Sequence, residues 1–233
     1  ILDSASVDEK TARGPVSTET RPAIKPDGAD SQEKSACEER SRRSGVNWSS
    51  VRPGHTIRTG LHSQVGDSDR VAQRMIAGKP VIIAGDGSSL WTLTRSVDLA
   101  APLVGLFGKA QAIGQTFHIT QHLFGYNWNQ IHEAIAGALG VKADIVHVPT
   151  DTLIKYNPEW IGPLIGDKSW TALFDNSKVM AVAGDFTCET DLDKVLADSI
   201  AHFKKRAETA LYVPDETDAL LDRIIAEQRA LGG

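Results

Sequence analysis

The sequence predicts an α/β protein. Two observations carry that reading. From Val46 onward, short apolar runs alternate with amphipathic stretches of helical period. Capping and turn residues stand where those stretches must start or stop, Gly140 being the clearest.

Taken in order, residues 46–52 read as a strand and 67–77 as a helix. Residues 80–84 form a short, wholly apolar strand that runs into the turn Gly85-Asp86-Gly87. Asp98 is placed to N-cap a helix through Phe107. Residues 116–120 read as a strand, 127–139 as a helix closed by Gly140, and 145–148 as another strand. Residues 192–207 and 215–231 form the last two helices. In the final one Leu220, Leu221, Ile224, Ile225 and Leu231 make an apolar stripe, suited to packing on the domain body or to a dimer contact. Residues 1–45 are polar and hold Pro15, Pro22 and Pro26, so composition alone makes them a loop or a disordered arm.

Bulk properties narrow the function classes. The chain has 233 residues, 41% hydrophobic and 24% charged, which is ordinary for a soluble globular protein. A net charge of −5 argues against a nucleic-acid binder that relies on overall positive charge. Cys37 and Cys188 are far apart and lack metal spacing, which suits reduced thiols of the cytoplasm. No apolar run approaches a membrane span and no secretory signal is visible. His118 and His122 are four apart but lie on a strand running into a loop, so no metal site is expected.

The segment Gly85-Asp86-Gly87-Ser88-Ser89-Leu90-Trp91, followed by Thr92-Leu93-Thr94 and Asp98, resembles the substrate domain of the extended short-chain dehydrogenases/reductases, the NAD-dependent epimerase/dehydratase proteins. The resemblance reaches back to Ile1-Leu2-Asp3-Ser4-Ala5-Ser6-Val7, where Ser4 stands at the catalytic serine. It continues through Asp30-Ser31-Gln32-Glu33-Lys34, where Lys34 stands at the lysine of the Tyr-x-x-x-Lys motif and Asp30 at the tyrosine. Val51-Arg52-Pro53, with His55 after it, resembles the strand end that passes the nicotinamide and substrate. The family's fold is a doubly wound Rossmann-type parallel sheet with a smaller α/β substrate domain. The resemblance implies that residues 1–78 are the C-terminal part of an incomplete dinucleotide-binding domain and 79–233 the substrate domain. It implies NAD or NADP as cofactor, held here by Lys34, Arg52, Pro53 and His55. The glycine-rich binding loop is absent from this sequence, which suggests a truncated chain.

The chemistry of position 30 sets an expectation of its own. In such enzymes a tyrosine phenol, with a pKa near ~10 lowered by lysine and nicotinamide, exchanges a proton with the substrate oxygen. An aspartate, with a pKa near ~4, stays ionised beside a lysine and cannot protonate an alkoxide. Ordinary dehydrogenase chemistry should therefore be impaired with Asp30. On the substrate side, Asp86, Trp91 and Thr94 are the expected lining. Trp91 stands where nucleotide-sugar enzymes of this family carry an arginine for the diphosphate, which disfavours a nucleotide sugar and points to a small alcohol or ketone. Trp91 could stack on a ring or fill the core.

The rival expectation is a non-catalytic, degenerate relative acting as a binding or scaffold protein. It could act on RNA, because the 91–131 stretch also resembles bacterial proteins related to the chloroplast stem-loop RNA-binding proteins. Arg40, Arg42 and Arg43 are its local support, against their alternative as a solvated helix face. A homodimer through the helix bearing Lys34 is expected by resemblance alone.

Overall fold

The computed structural model of the protein describes residues 29–66, 69–209 and 212–231. Its strands are short and pair two by two. β1 (Ser49–Pro53) lies parallel to β6 (Gln115–Ile119), and β3 (Val81–Ala84) parallel to β8 (Ile145–Val148). β2 (His55–Ile57) joins β5 (Leu93–Arg95), and β4 (Leu90–Trp91) runs antiparallel to β7 (Tyr126–Asn127). Parallel partners cannot be joined by a tight turn, so β1–β6 and β3–β8 each gather segments distant in sequence.

The chain accordingly divides into two compact, interleaved units. Unit 1 holds the described parts of 1–56 with 92–125 and 172–189; unit 2 holds 57–91, 126–171 and 190–233. The expected boundary at 78 falls inside unit 2. A linear reading missed this because β1 finds its partner β6 beyond the first segments of unit 2.

In unit 1, α1 (Ala29–Arg43) corrects the expectation of an irregular arm from residue 29 onward. The stretch contains neither proline nor glycine, and its charges pair along one helix: Arg43 with Glu39 at 2.7 Å and Arg42 with Glu38 and Glu39 at 3.4 Å. Polarity of composition hid a helix whose spacing was favourable. β1 begins three residues later than expected, and its register sets Val51 opposite Phe117 and Pro53 opposite Ile119. Phe117 and Ile119 join Leu106, Ala112 and Val179 in one core, covered by α3 (Ser96–Gly105) and α7 (Ser177–Ala183). Asp98 is not the N-cap: the helix starts earlier, after Arg95, and Asp98 sits in its first turn. There it takes two bonds from the Arg95 guanidinium, at 2.9 and 2.7 Å, and the Glu189 N–H at 3.1 Å.

In unit 2, α4 (Trp128–Leu139) follows the sequence closely. Asn127 and Gln130 form a reciprocal capping box, at 2.8 and 3.0 Å, and Gly140 closes the helix. Every residue of β3 is buried, as its unbroken apolar run requires. α2 (Arg70–Ile76), α5 (Thr150–Tyr156), the single turn α6 (Ile161–Pro163), a π-helical turn at Leu164–Lys168, α8 (Leu192–Ala207) and α9 (Glu216–Leu231) complete the unit. The stripe on α9 takes the packing role. Leu221, Ile224 and Ile225 are buried with Ile82, Ala84, Val146 and Val148, each such side chain stabilising the fold by about 1.5–3 kcal/mol. Leu231, at 82% exposure, lies off that face.

A charged lock fastens α9 to α2. Asp218, 1% exposed, receives Arg70, Arg74 and the Tyr212 hydroxyl; Arg74 also reaches Asp222 at 2.6 Å, and Lys79 reaches Asp222 at 2.7 Å. Burial opposes the charge of Asp218. The bonds from Tyr212 and Arg74 and the charge of Arg70 outweigh it and hold the carboxyl below its ordinary range.

Candidate functional site

Open α/β sheets bind ligands beyond the carboxyl ends of their parallel strands. Each unit has one such edge, and each is built differently.

In unit 1 the edge begins at Arg52. Its guanidinium makes a two-pronged pair with Glu38 of α1, Nε to Oε1 at 2.7 Å and Nη2 to Oε2 at 2.6 Å, while the Ser50 hydroxyl adds a third bond at 3.2 Å. The Arg52 bond is the main reason the Glu38 carboxyl titrates below its usual range, against the opposing effect of burial. The pair clamps α1 to the carboxyl end of β1. Lys34, exposed, lies one turn before Glu38 on the same face of α1. The Asp30 backbone belongs to the first turn of α1; its side chain, like Ser4, lies outside the described residues. Pro53 ends β1 and His55 opens β2, so three of the four expected cofactor-side residues gather at this strand end.

Past β6 the edge is lined by a buried neutral network. The Asn176 side chain bonds the carbonyl and hydroxyl of Thr120, the Gln121 N–H reaches the Thr94 hydroxyl at 2.9 Å, and the Gln121 amide reaches the Glu189 carbonyl at 3.0 Å. Gly54 touches this network closely: a Cβ there would lie 2.8 Å from the Thr120 methyl. The Asn176 N–H donates to His122 Nδ1 at 3.0 Å, so a neutral His122 carries its proton on Nε2. Among the described residues no group of acidic, histidine or cysteine side chains is arranged to hold a metal ion.

In unit 2 the edge is the turn Gly85-Asp86-Gly87. Asp86 accepts the N–H and hydroxyl of Ser88, at 2.9 and 2.6 Å, and the hydroxyl bond chiefly holds its pKa low. The Asp86 carbonyl takes the Asn129 amide at 2.9 Å, and Asn129 Oδ1 meets His147 Nε2 at 2.8 Å. Asp86 is therefore an accessible member of the expected substrate set. Trp91 and Thr94 are not: both are fully buried. Trp91 takes the core-filling alternative, its ring 5.0 Å from that of Trp128. Thr94 serves the unit 1 network. Behind Trp128, His132 is wholly buried; its Nδ1 donates to the Trp128 carbonyl at 2.9 Å, and burial pushes its pKa down to about 4.

Glu38, Asn176 and Gln121 were not read from the sequence. Glu38 had a signal, four residues after Lys34 on a helix. Asn176 and Gln121 had none, since their partners are distant in the chain. Arg42 and Arg43 are engaged with glutamates of their own helix, the arrangement of a solvated helix face. No described helix is long and apolar enough to cross a membrane.

No known family profile matches the chain. It is 29% identical over 157 residues to the 2'-dehydrokanamycin reductase of Streptomyces kanamyceticus, a match spanning 62% of this chain and 44% of that protein. Its structure superposes on the UDP-glucose 4-epimerase of Thermotoga maritima with a TM-score of 0.55 at 19% identity, over 75% of this chain and 52% of that one. It also superposes on the UDP-glucuronic acid 4-epimerase of Bacillus cereus, solved with UDP-glucuronic acid and NAD, with a TM-score of 0.50 at 18% identity, over 67% and 45%. The chain thus spans about half the length of the proteins it matches.

Proposed function

From a chain that has the fold of the NAD-dependent epimerase/dehydratase proteins, the extended short-chain dehydrogenases/reductases, we propose a protein of NAD(P)-dependent hydride transfer at a secondary alcohol or ketone. The observation that carries the reading is the Glu38–Arg52 clamp. It fixes the helix of Lys34 against the carboxyl end of β1, where Pro53 and His55 also lie. An exposed lysine held there suits a hydrogen bond to the ribose of a nicotinamide nucleotide, and the similarity to a reductase and to an NAD-bound epimerase supports that cofactor. When bound, that cofactor would supply a hydride to a carbonyl carbon, and the carbonyl oxygen would need a proton from the protein or from water. Asp30 cannot give that proton, so turnover is slow unless another group does.

The substrate is a small alcohol or ketone. Trp91 supports this: its buried indole offers no cation to a diphosphate, where the family resemblance implies an arginine in nucleotide-sugar enzymes. A cytoplasmic homodimer contacting through α1 belongs to the same reading.

The test is NADH or NADPH fluorescence with the full-length protein. Enhancement on binding supports the reading, and its reduction by Lys34→Ala assigns the lysine. No enhancement with either nucleotide overturns it. The second reading, a non-catalytic binding protein, is favoured by Asp30 alone; bound nucleotide with no turnover on any ketone would establish it.

A further inference from the structure

The geometry points to a binding subsite for a single anionic group, a carboxylate or a phosphate monoester, on Lys168 at the carboxyl edge of β3 and β8. This rests on the proposed function, with Asp86 at this strand edge on the substrate side, and names the class of substrate taken there.

Three observations meet at this residue. The first is its place. Lys168 ends the π-helical turn Leu164–Lys168, a backbone form that recurs at functional sites. Its carbonyl accepts the Gln64 amide at 3.2 Å, the Ser89 hydroxyl at 3.2 Å and the Trp128 indole N–H at 3.1 Å. Gln64 in turn accepts the N–H of Ala84, the last residue of β3, at 2.9 Å. The next residue, Ser169, meets the hydroxyl of Thr150, the first residue after β8 and Pro149, at 3.3 Å. The turn is therefore tied to the ends of both strands, where ligands of parallel sheets bind.

The second observation is the state of the ammonium. It has three N–H donors, and among the described residues it meets one acceptor, the Ser63 carbonyl at 2.6 Å. Among the described residues no carboxylate lies within ion-pair distance; Asp167 acts on it only at longer range. The third is burial, which lowers the ammonium pKa from its usual value. Lys168 is partly buried, so its ammonium is partly desolvated, and two of its donors have no protein acceptor among the described residues. The contrast within unit 2 is direct. Arg70, Arg74 and Lys79 all meet aspartates there, whereas Lys168 does not. An anion on the ligand completes the set, with the hydroxyls of Ser89, Thr150 and Ser169 clustered around the same turn. One ammonium suits one anionic group rather than a diphosphate.

The experiment needs neither cofactor nor turnover. Amine labelling by a succinimidyl ester is followed residue by residue in a mass spectrometer, with sodium phosphate, sodium acetate or chloride at equal ionic strength. At about 20 mM, a ligand with a Kd of about 5 mM protects Lys168 about fivefold and leaves exposed Lys155 unchanged. Phosphate protecting alone assigns a phosphate monoester; acetate protecting alone assigns a carboxylate. The protecting anion raises the thermal midpoint by about 2–4 °C in the wild type and not in Lys168→Met. Lys168→Met keeps the charge-free shape and is expected to fold. Should it not, the labelling result on the wild type decides. Equal labelling of Lys168 in all three salts overturns the proposal, as does equal protection of Lys155 or a midpoint shift that survives in Lys168→Met. Failure here leaves NADH binding untouched, so the two readings fall separately.

Discussion

Unit 1 and unit 2 bury polar groups by opposite means. Unit 1 ties the ends of β1 and β6 with neutral partners: Thr94, Thr120, Gln121 and Asn176 satisfy one another and the backbone. Unit 2 buries ions: Arg70, Arg74 and Asp218 lock α9, and Lys168 holds an incomplete charge at the strand ends. A neutral network has fixed bonds at every ordinary pH. An ionic one is only as stable as its protonation state. The comparison therefore assigns pH-independent bonding to the neutral network of unit 1 and pH sensitivity to the ionic lock of unit 2; within unit 1 the acid-sensitive contacts are the Glu38–Arg52 and Asp98–Arg95 pairs.

The largest expected effect tests the ionic side. Asp218→Ala removes the one carboxylate shared by Arg70, Arg74 and Tyr212, leaving Arg74, whose side chain is 1% exposed, with the half-exposed Asp222 as its remaining carboxylate partner. Loss of one partner of a buried pair costs about 3–5 kcal/mol. Urea unfolding should show that loss, and hydrogen exchange should place it in α9 and α2. A loss below about 1 kcal/mol would mean that the lock is ornamental. The wild type should lose the same contribution in acid. Asp218 has a depressed folded pKa, so its stabilisation is present above the unfolded carboxylate value of about 4 and disappears as pH falls through the lower folded value.

His132 opens an earlier window. Its folded pKa of about 4 lies below the ordinary 6.5, so between those values the unfolded chain binds more protons than the folded one. Stability is fully present above pH 6.5 and declines toward pH 4 by about 3 kcal/mol. In His132→Leu the stability curve should be nearly flat over that interval. An unchanged slope would assign the proton uptake to another group.

How much of this was legible depends on how far a residue's partner lies along the chain. α4 could be read to its caps, because Asn127, Gln130 and Gly140 signal within a few residues. β8 and α8 were equally plain, since periodicity is local. α1 was misread from composition, although its Glu–Arg spacing was in view. The interleaved units could not be read, because nothing near Val51 says that it pairs with Phe117. The same distance hides the site. Arg52, Pro53 and Asp86 are singled out by motifs, while Glu38, Asn176 and Lys168 acquire their meaning from contacts across the fold. Trp91 marks the limit of motif reading: the motif singles it out for the substrate side, and its side chain is buried.

On the neutral side, Asn176→Ala should cost about 1–3 kcal/mol, because the Thr120 carbonyl loses its amide donor in a buried site. The distinguishing feature is pH. Between pH 4 and 8 the difference from wild type should stay constant, since no member of the Thr94–Thr120–Gln121–Asn176 network titrates there. A loss that grows on acidification would couple Asn176 to His122, whose Nδ1 its N–H meets at 3.0 Å, and would weaken the contrast between the units.

The finest comparison lies within one turn of unit 2. Gly85 and Gly87 both have positive φ, 67° and 73°. An alanine Cβ at 85 would meet open space, whereas at 87 it would lie 2.7–2.8 Å from the Asn129 amide. Gly85→Ala therefore carries only the backbone penalty of about 1–2 kcal/mol. Gly87→Ala adds displacement of Asn129, which breaks its bonds to the Asp86 carbonyl and His147. Asn129 is the far end of a short side chain and can move, so the added cost is about 1 kcal/mol rather than a failure to fold. The informative readout is the His147 ring resonances. They should shift in Gly87→Ala and stay in place in Gly85→Ala. Equal shifts would mean that the turn moves as one body, and that Asp86 is positioned by the glycine backbone rather than by Asn129.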